Sequence, residues 1–356
     1  MKILFASGRG YFPEVSGGVQ SSTDALARRL TARGHTASVL AALYGEGLFG
    51  FAARIKLKLG GSGYVRDQQL GYPVFRSWSP VSAIPQLCKQ FKPDVALVQC
   101  GGSVPVAKAL MSQNVPVVVY LRNVEFHELE GDITELKGSD FISNSHFTAF
   151  VYKSRFGIDS TVIPPTIDPE NYCTDTLGEF VTFINPVEKK GLSVALGVAK
   201  LCPDIPFLFV ESWRLNKEEE TSLLAQLNAL PNVKFRRRTM DMKGIYRQTR
   251  VLLAPSLWEE AWGRVASEAQ CSGIPVLASN RGGLPEAVGS GGVVLSPDAP
   301  LELWASTLRR LWADEAYYSD LSKLAAAHAS REELDPDKQF EAFLNVLTHA
   351  TKNHSS

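Results

Sequence analysis

No sign of charge is in excess in this chain: Lys and Arg together number 37, and so do Asp and Glu. That balance excludes a broad, sequence-independent grip on nucleic acid, which needs surplus cations. Cysteine is scarce: the five, Cys88, Cys100, Cys173, Cys202 and Cys271, are far apart and form no C-x-x-C pair. A disulfide framework and a zinc site are both excluded, and the expectation is reduced thiols in the cytoplasm. Long apolar runs are missing too. Nothing approaches the ~20 residues of a spanning helix, so the chain is expected to be soluble or at most attached to a membrane surface. The opening MKILFASGRG is too short an apolar run for a signal peptide, with Arg9 and Gly10 interrupting it. Short repeats of the solenoid kind and low-complexity tracts are also lacking.

What is present is an ordinary globular composition, 45% hydrophobic and 21% charged over 356 residues. This is enough for two domains, each with its own core. Short apolar runs alternate with helical patterns. KILFAS, TASVLAAL, PVFRSW, DVALVQC, PVVVYL and DFISNS read as strands. TVIPPTIDPENY, 161–172, breaks the pattern with three prolines and reads as a hinge. A second series follows: EFVTFINP, PFLFVES, NVKFRRR, RVLLAP, IPVLAS and GGVVLSP. The alternation implies two parallel α/β domains of the Rossmann-like kind, facing each other across a cleft. The expected division is 1–165, 166–335, and a C-terminal helix at 336–356 packing back toward the first domain. Ligands of open parallel sheets bind beyond the carboxyl ends of the strands, so the loops after strands carry the search.

The first such loop is SGRGYFPEVSGGVQ. It is not a dinucleotide fingerprint: Gly8 and Gly10 match G-x-G, but Pro13 stands where the third glycine belongs, and the loop is too long. Gly17 and Gly18, at the start of the next helix, allow close approach of a phosphate or diphosphate; alone, the pair reads first as a flexible loop with a glycine-rich helix entry. In the second domain, TFINPVEKKGLSVALG sets Asn185, Lys189, Lys190 and Gly191 after a strand, where a lysine can pair with phosphate as a point charge. KFRRRTMDM lacks the interleaved aromatics of a nucleic-acid surface. Asp335-Pro336-Asp337 reads as a helix start rather than a metal-binding D-x-D string, so no metal ligands are assigned.

The most informative stretch is VLLAPSLWEEAWGRVASEAQCSG. Pro255 and Gly263 place Glu260 on a loop and Glu268 within a helix that starts near Gly263 or Arg264. The segment Ala261, Trp262, Gly263, Arg264 and Val265 then presents N–H groups at a positive helix end. An ionised carboxylate accepts two hydrogen bonds and can grip adjacent hydroxyls. A diphosphate flanked by two diols, a nucleotide-diphosphate sugar, satisfies every feature. The blander alternative is a solvated Glu268 and a helix-start Glu260.

Together these residues resemble glycosyltransferase family 4, retaining enzymes of the GT-B fold. The resemblance rests on PSLWEEAWGRVASEAQCSGIPVLAS, 255–279, with RGGLPE, 281–286, and on FPEVSGGV, 12–19. It implies that Glu260 holds donor-sugar hydroxyls, Glu268 the ribose diol, and the amides of Ala261–Val265 the sugar and phosphates. Gly17 and Gly18 would approach the diphosphate and Lys190 would neutralise it. It further implies a hydroxyl acceptor (glycan, lipid-linked or small molecule), front-face attack with retained configuration, no metal or other cofactor, and UDP as the expected carrier. Two departures stand out. Asn185 occupies the position of a family arginine, with Arg264 or one of Arg236–Arg238 as compensation. Arg122 and Asn123, with His127 farther on, stand where a histidine is usual on the acceptor side. These departures motivate the alternative of a catalytically impaired sugar-nucleotide-binding or assembly protein; an epimerase or phosphorylase on a similar scaffold ranks below it. GLFGFAARIKLKLG, 47–60, reads first as an amphipathic element packed on domain one, second as a peripheral contact with the inner membrane surface or a lipid-linked acceptor. Trp78, Trp213 and Trp262 are candidate sugar-stacking surfaces.

Overall fold

The computed structural model describes residues 1–60 and 63–355. The chain divides into two units: unit 1 is Met1–Thr166 with Pro336–Ser356, and unit 2 is Ile167–Asp335. Unit 1 is built on β1 (Lys2–Gly10), β2 (Thr36–Ala42), β3 (Val65–Asp67), β4 (Val74–Ser77), β5 (Val95–Gln99), β6 (Val117–Leu121), β7 (Asp140–Ser143) and β8 (Thr161–Val162). They form one sheet in the order β3-β4-β2-β1-β5-β6-β7-β8. All neighbours pair in parallel except β3 and β4. Parallel pairing requires crossover connections, which put helices on both faces. Side chains therefore sort by alternation into two cores. Leu4, Ala6, Ala96 and Val98 enter one, and Ile3, Phe5, Val95 and Leu97 the other. The C-terminal helix Pro336–Ser355 seals the second core with Phe340, Phe343 and Leu347, and Phe343 stacks on Phe5 at 6.3 Å.

Unit 2 repeats the plan with β9 (Phe180–Ile184), β10 (Phe207–Val210), β11 (Val233–Arg236), β12 (Thr249–Ala254), β13 (Val276–Ser279) and β14 (Gly292–Leu295). The order is β11-β10-β9-β12-β13-β14, parallel throughout. Phe183, Phe209 and Leu253 face one core; Ile184, Leu208 and Leu252 face the other. The chain winds outward from β9 to β11, then returns to β12 and winds the other way. The gap between the carboxyl ends of β9 and β12 is therefore a topological switch point.

The sequence reading missed β3 and β8. β3 is three residues long and β8 two, too short for periodicity to show, and β8 lies inside the segment expected to be wholly hinge. Among the described residues, no helix is long and apolar enough to cross a membrane.

One polar group is buried deep in unit 1. Arg76 on β4 is fully covered, yet its Nε donates to Asp67 Oδ2 at 2.7 Å and its Nη atoms donate to the carbonyls of Tyr11 and Phe12. It clamps the start of the glycine loop to the sheet edge. Glu14 holds the middle of the loop, accepting from the backbone N–H of Gly45 at 2.7 Å and of Glu46 at 3.2 Å. Replacing Arg76 by Ala strands Asp67 and two carbonyls. It is expected to destabilise unit 1 by about 3–5 kcal/mol, read as a fall in its urea unfolding midpoint.

Candidate active site

The loops after β9 and β12 meet at the switch point of unit 2. The first runs from Asn185 through the 3-10 turn Glu188–Lys190 to Gly191. Gly191 has φ +86, and a Cβ there would lie 1.9 Å from Pro255 O. Only glycine permits both that conformation and that approach. The backbone N–H groups of Leu257 and Trp258 both donate to Lys189 O at 3.0 Å. With the loops so locked, Lys190 Nζ donates to Glu260 Oε1 at 2.5 Å, and Ser256 Oγ donates to the same oxygen at 2.9 Å. Both charged side chains are mostly covered, 20% exposed for Lys190 and 15% for Glu260. The loop after β13 closes the third side: Gly283 N donates to Glu260 O at 2.6 Å, and Gly282, at φ +60, has no room for a Cβ against that carbonyl.

Glu268 sits differently. The helix Arg264–Gln270 begins after Gly263, whose φ is +99. One turn on, Glu268 is only 6% exposed. Tyr246 OH donates to its Oε2 at 2.8 Å and Arg264 Nε to its Oε1 at 3.1 Å; Arg264 Nη2 reaches Tyr172 OH at 3.2 Å. Burial, reinforced by the Glu268 charge, raises the phenols of Tyr246 and Tyr172 above their ordinary value, so both remain hydrogen-bond donors. Burial is the largest influence on the Arg264 guanidinium and would lower it, but the Glu268 carboxylate and the Tyr172 hydroxyl together outweigh it and the net shift is upward. The solvated Glu268 of the blander alternative is thus corrected. Arg264 meets Glu268 Oε1 through both Nε and Nη2 at 3.1 Å, while Tyr246 OH donates to Oε2, and a carboxylate oxygen with one donor can accept a second.

Several expectations need amending. Trp262 cannot stack on a sugar, because it is 4% exposed and its Nε1 donates to Ser267 Oγ at 3.0 Å; only its backbone faces the loop chemistry. The Arg264 side chain is engaged by Glu268 and Tyr172, and Arg237 pairs with Glu220, so neither stands as the compensating phosphate cation. Asn185 is in the left-handed region at φ +69, and its Oδ1 accepts from Trp213 N at 3.1 Å. Trp213 is 41% exposed and lies under Lys190 Nζ, 5.1 Å from its ring centroid. Ser256, Tyr172, Tyr246 and Glu211 were not singled out from sequence. Glu211, 7% exposed, accepts from Leu215 N and Arg238 N at 3.1 Å each, joining the loops after β10 and β11.

In unit 1, Gly17 precedes the helix Gly18–Ala32 with φ 167, an extended conformation open to any residue. Arg122, at the end of β6, is brought to that helix start: its Nη1 donates to Val19 O at 3.5 Å, and its guanidinium lies over the Tyr120 ring at 4.0 Å. Asn123 instead turns to Glu128 Oε2, at 2.6 Å. His127 is exposed on the 3-10 turn Phe126–Leu129, and its ring is bonded to neither of them.

The family model for group 1 glycosyl transferases matches residues 177–328, and that for Glycosyltransferase Family 4 matches residues 16–171. Between them they take in most of the chain. A D-inositol 3-phosphate glycosyltransferase of Corynebacterium kroppenstedtii is 37% identical over 93 residues, 26% of this chain and 20% of the relative. One of Streptomyces bingchenggensis is 39% identical over 111 residues, 31% and 24%. The chain thus matches about a fifth to a quarter of the length of these curated relatives. Among solved structures, Anabaena HepE in complex with UDP-glucose superposes with TM-score 0.76 at 21% identity, covering 98% of this chain and 100% of that one. A glycosyltransferase from Rickettsia africae gives 0.74 at 16%, covering 99% of each. The likeness establishes the fold.

Stability should expose the locked loops directly. Gly191→Ala is expected to lower the unfolding free energy of unit 2 by about 2–4 kcal/mol, from left-handed strain plus the clash with Pro255. Thermal or urea unfolding checks it; an unchanged midpoint would mean the loops part without cost.

Proposed function

Because this chain belongs to glycosyltransferase family 4 and has the GT-B fold of two Rossmann-like parallel-sheet units, we propose that it transfers a sugar from a nucleotide diphosphate to an acceptor hydroxyl, retaining the anomeric configuration and needing no metal. The observation that carries this reading is the Lys190–Glu260–Ser256 cluster at the switch point of unit 2. A cation and a carboxylate meet there beside a glycine-led helix, with a second, buried carboxylate one turn into it.

Departure of the diphosphate builds negative charge on its oxygens. Lys190 supplies the compensating cation, aided by the amides of the segment Ala261–Val265. With donor bound, Lys190 is shared between phosphate and Glu260. Glu260 binds sugar hydroxyls through Oε2, since Oε1 already receives Lys190 and Ser256. Glu268 accepts from the ribose diol beside Tyr246 and Arg264. Uridine diphosphate is the proposed carrier, a choice supported by the UDP-glucose of the HepE structure. Attack on the face the diphosphate leaves lets a phosphate oxygen take the acceptor proton, so no protein base is assigned. The acceptor side is assigned to unit 1, with Arg122 and Asn123.

Lys190→Ala is expected to lower turnover about 10²–10³-fold, the cost of losing a preorganised charge at the leaving group. Glu268→Ala should weaken UDP binding about 10- to 100-fold, read by titration calorimetry. Turnover should persist in EDTA, and proton NMR of the product should show the donor's anomeric configuration. An inverted product ends the retaining mechanism. UDP binding without transfer to any of a broad panel of acceptors would replace this reading by that of a sugar-nucleotide-binding protein.

A further inference from the structure

The helix Gly47–Gly60 turns most of its large apolar side chains away from the protein. Leu48 is 92% exposed, Phe51 61%, Ile55 46% and Leu59 83%. At ~100° per residue these four fall within an arc of about 80°. Gly50, Ala53 and Leu57, which are buried, occupy the opposite side. The packed amphipathic element expected from sequence therefore accounts for only one face of the helix. That face is well held. Leu43, Ala53 and Leu57 form a small core with Val65, and Gly50 lies so close to Gly45 that a Cβ would come 2.4 Å from its carbonyl carbon. The outward stripe is a rigidly mounted apolar surface of the kind that marks an interaction site.

Its borders are basic. Lys56 and Lys58 fall on the two flanks of the stripe, Arg54 lies farther round, and the helix GLFGFAARIKLKLG has no acidic residue. Trp78, 48% exposed, stands beside it with the Arg54 guanidinium 5.4 Å from its ring centroid. The nearby Glu14 carboxylate is spent on the N–H groups of Gly45 and Glu46. A second copy of the chain would bring lysine borders against lysine borders across any two-fold axis, which like charges oppose. Anionic headgroups supply the opposite charge, acyl chains accept the Leu, Phe and Ile side chains, and long Lys stems reach back to the headgroup layer.

We propose that this helix seats unit 1 on an anionic bilayer surface, its Leu48–Phe51–Ile55–Leu59 stripe entering the acyl boundary and Lys56 and Lys58 pairing with headgroup phosphates. The inference is independent of the sugar-transfer reading. The test is flotation of the full chain with vesicles of phosphatidylcholine alone or with about a third phosphatidylglycerol, at low and high salt. Binding is expected on the anionic vesicles, with release by salt. The combined Leu48→Ser, Phe51→Ser and Leu59→Ser variant, altered only at exposed positions, should lose at least about tenfold in partitioning. Lys56→Gln and Lys58→Gln should each lose about fivefold on anionic vesicles only. Circular dichroism and UDP binding of each variant report whether the rest of the molecule is intact. Three results would overturn the proposal: no flotation of the wild-type chain at low salt, flotation of the triple variant equal to wild type, or a wild-type dimer in sedimentation equilibrium that the triple variant dissolves.

Discussion

The contact of Gly191 with Pro255 is the constraint from which the rest of the site follows. Two loops that leave neighbouring strands at a switch point would ordinarily diverge with the twist of the sheet. Here a residue without a side chain, in the left-handed conformation, lets the backbones touch, and Lys189 O then ties two N–H groups of the opposite loop. The side chains on either side of that seam have little choice of position. Lys190 and Glu260 come from residues 70 apart in sequence and still meet at 2.5 Å. Their pairing is a consequence of backbone packing, so the pair is preorganised before any ligand arrives, and reorganisation on binding costs little.

The two carboxylates, Glu260 and Glu268, occupy unlike environments, and that difference bears on their chemistry. Glu260 is on a loop, partly open to water, with both its protein bonds on one oxygen. Glu268 is nearly covered and bonded by the Tyr246 phenol and the Arg264 guanidinium, which in turn donates to Tyr172 OH. A covered carboxylate survives as an ion only when its lone pairs are matched, and Arg264 with Tyr246 does the matching. Such a group is fixed in orientation and suits recognition of an invariant part of a ligand. Glu260, held on one oxygen by Lys190 and Ser256, keeps its other oxygen without a protein bond among the described residues and is the more accessible of the two.

Much of this was legible in the chain. Short apolar runs separated by helical spacing located twelve of the fourteen strands among the described residues, because strands buried on both faces read as nearly continuous apolar runs. Lys190 was legible because it adjoins Gly191 at the turn after a strand, and Glu260 and Glu268 because they stand on either side of Gly263, where the loop gives way to a helix. Tyr172 and Tyr246 were not. Nothing in the local pattern separates an aromatic that bonds a buried ion pair from one that fills a core, and the partners, Arg264 for Tyr172 and Glu268 for Tyr246, lie 92 and 22 residues away in the chain. Arg76 was hidden for the same reason: a charged residue in PVFRSW reads as an outward position, whereas its three acceptors come from β3 and the glycine loop. Trp262 shows the converse, a conspicuous aromatic beside the key glutamate that turned out to be packing.

Asn185 joins these themes. Its departure from the family arginine looks, in sequence, like a lost phosphate cation. In the folded chain the position has φ +69, which asparagine tolerates better than most residues and a long cationic side chain does not favour. Its amide oxygen is bonded to the backbone of Trp213, and that bond sets the loop which places the indole against Lys190. Asn185 thus supplies no cation of its own and instead holds the aromatic wall beside Lys190. An ammonium beside an indole face keeps its charge while shedding part of its water, so it offers a stronger field to an anion than a fully hydrated lysine. Lys190 is the cation so held at this seam, flanked by the indole of Trp213 and the carboxylate of Glu260.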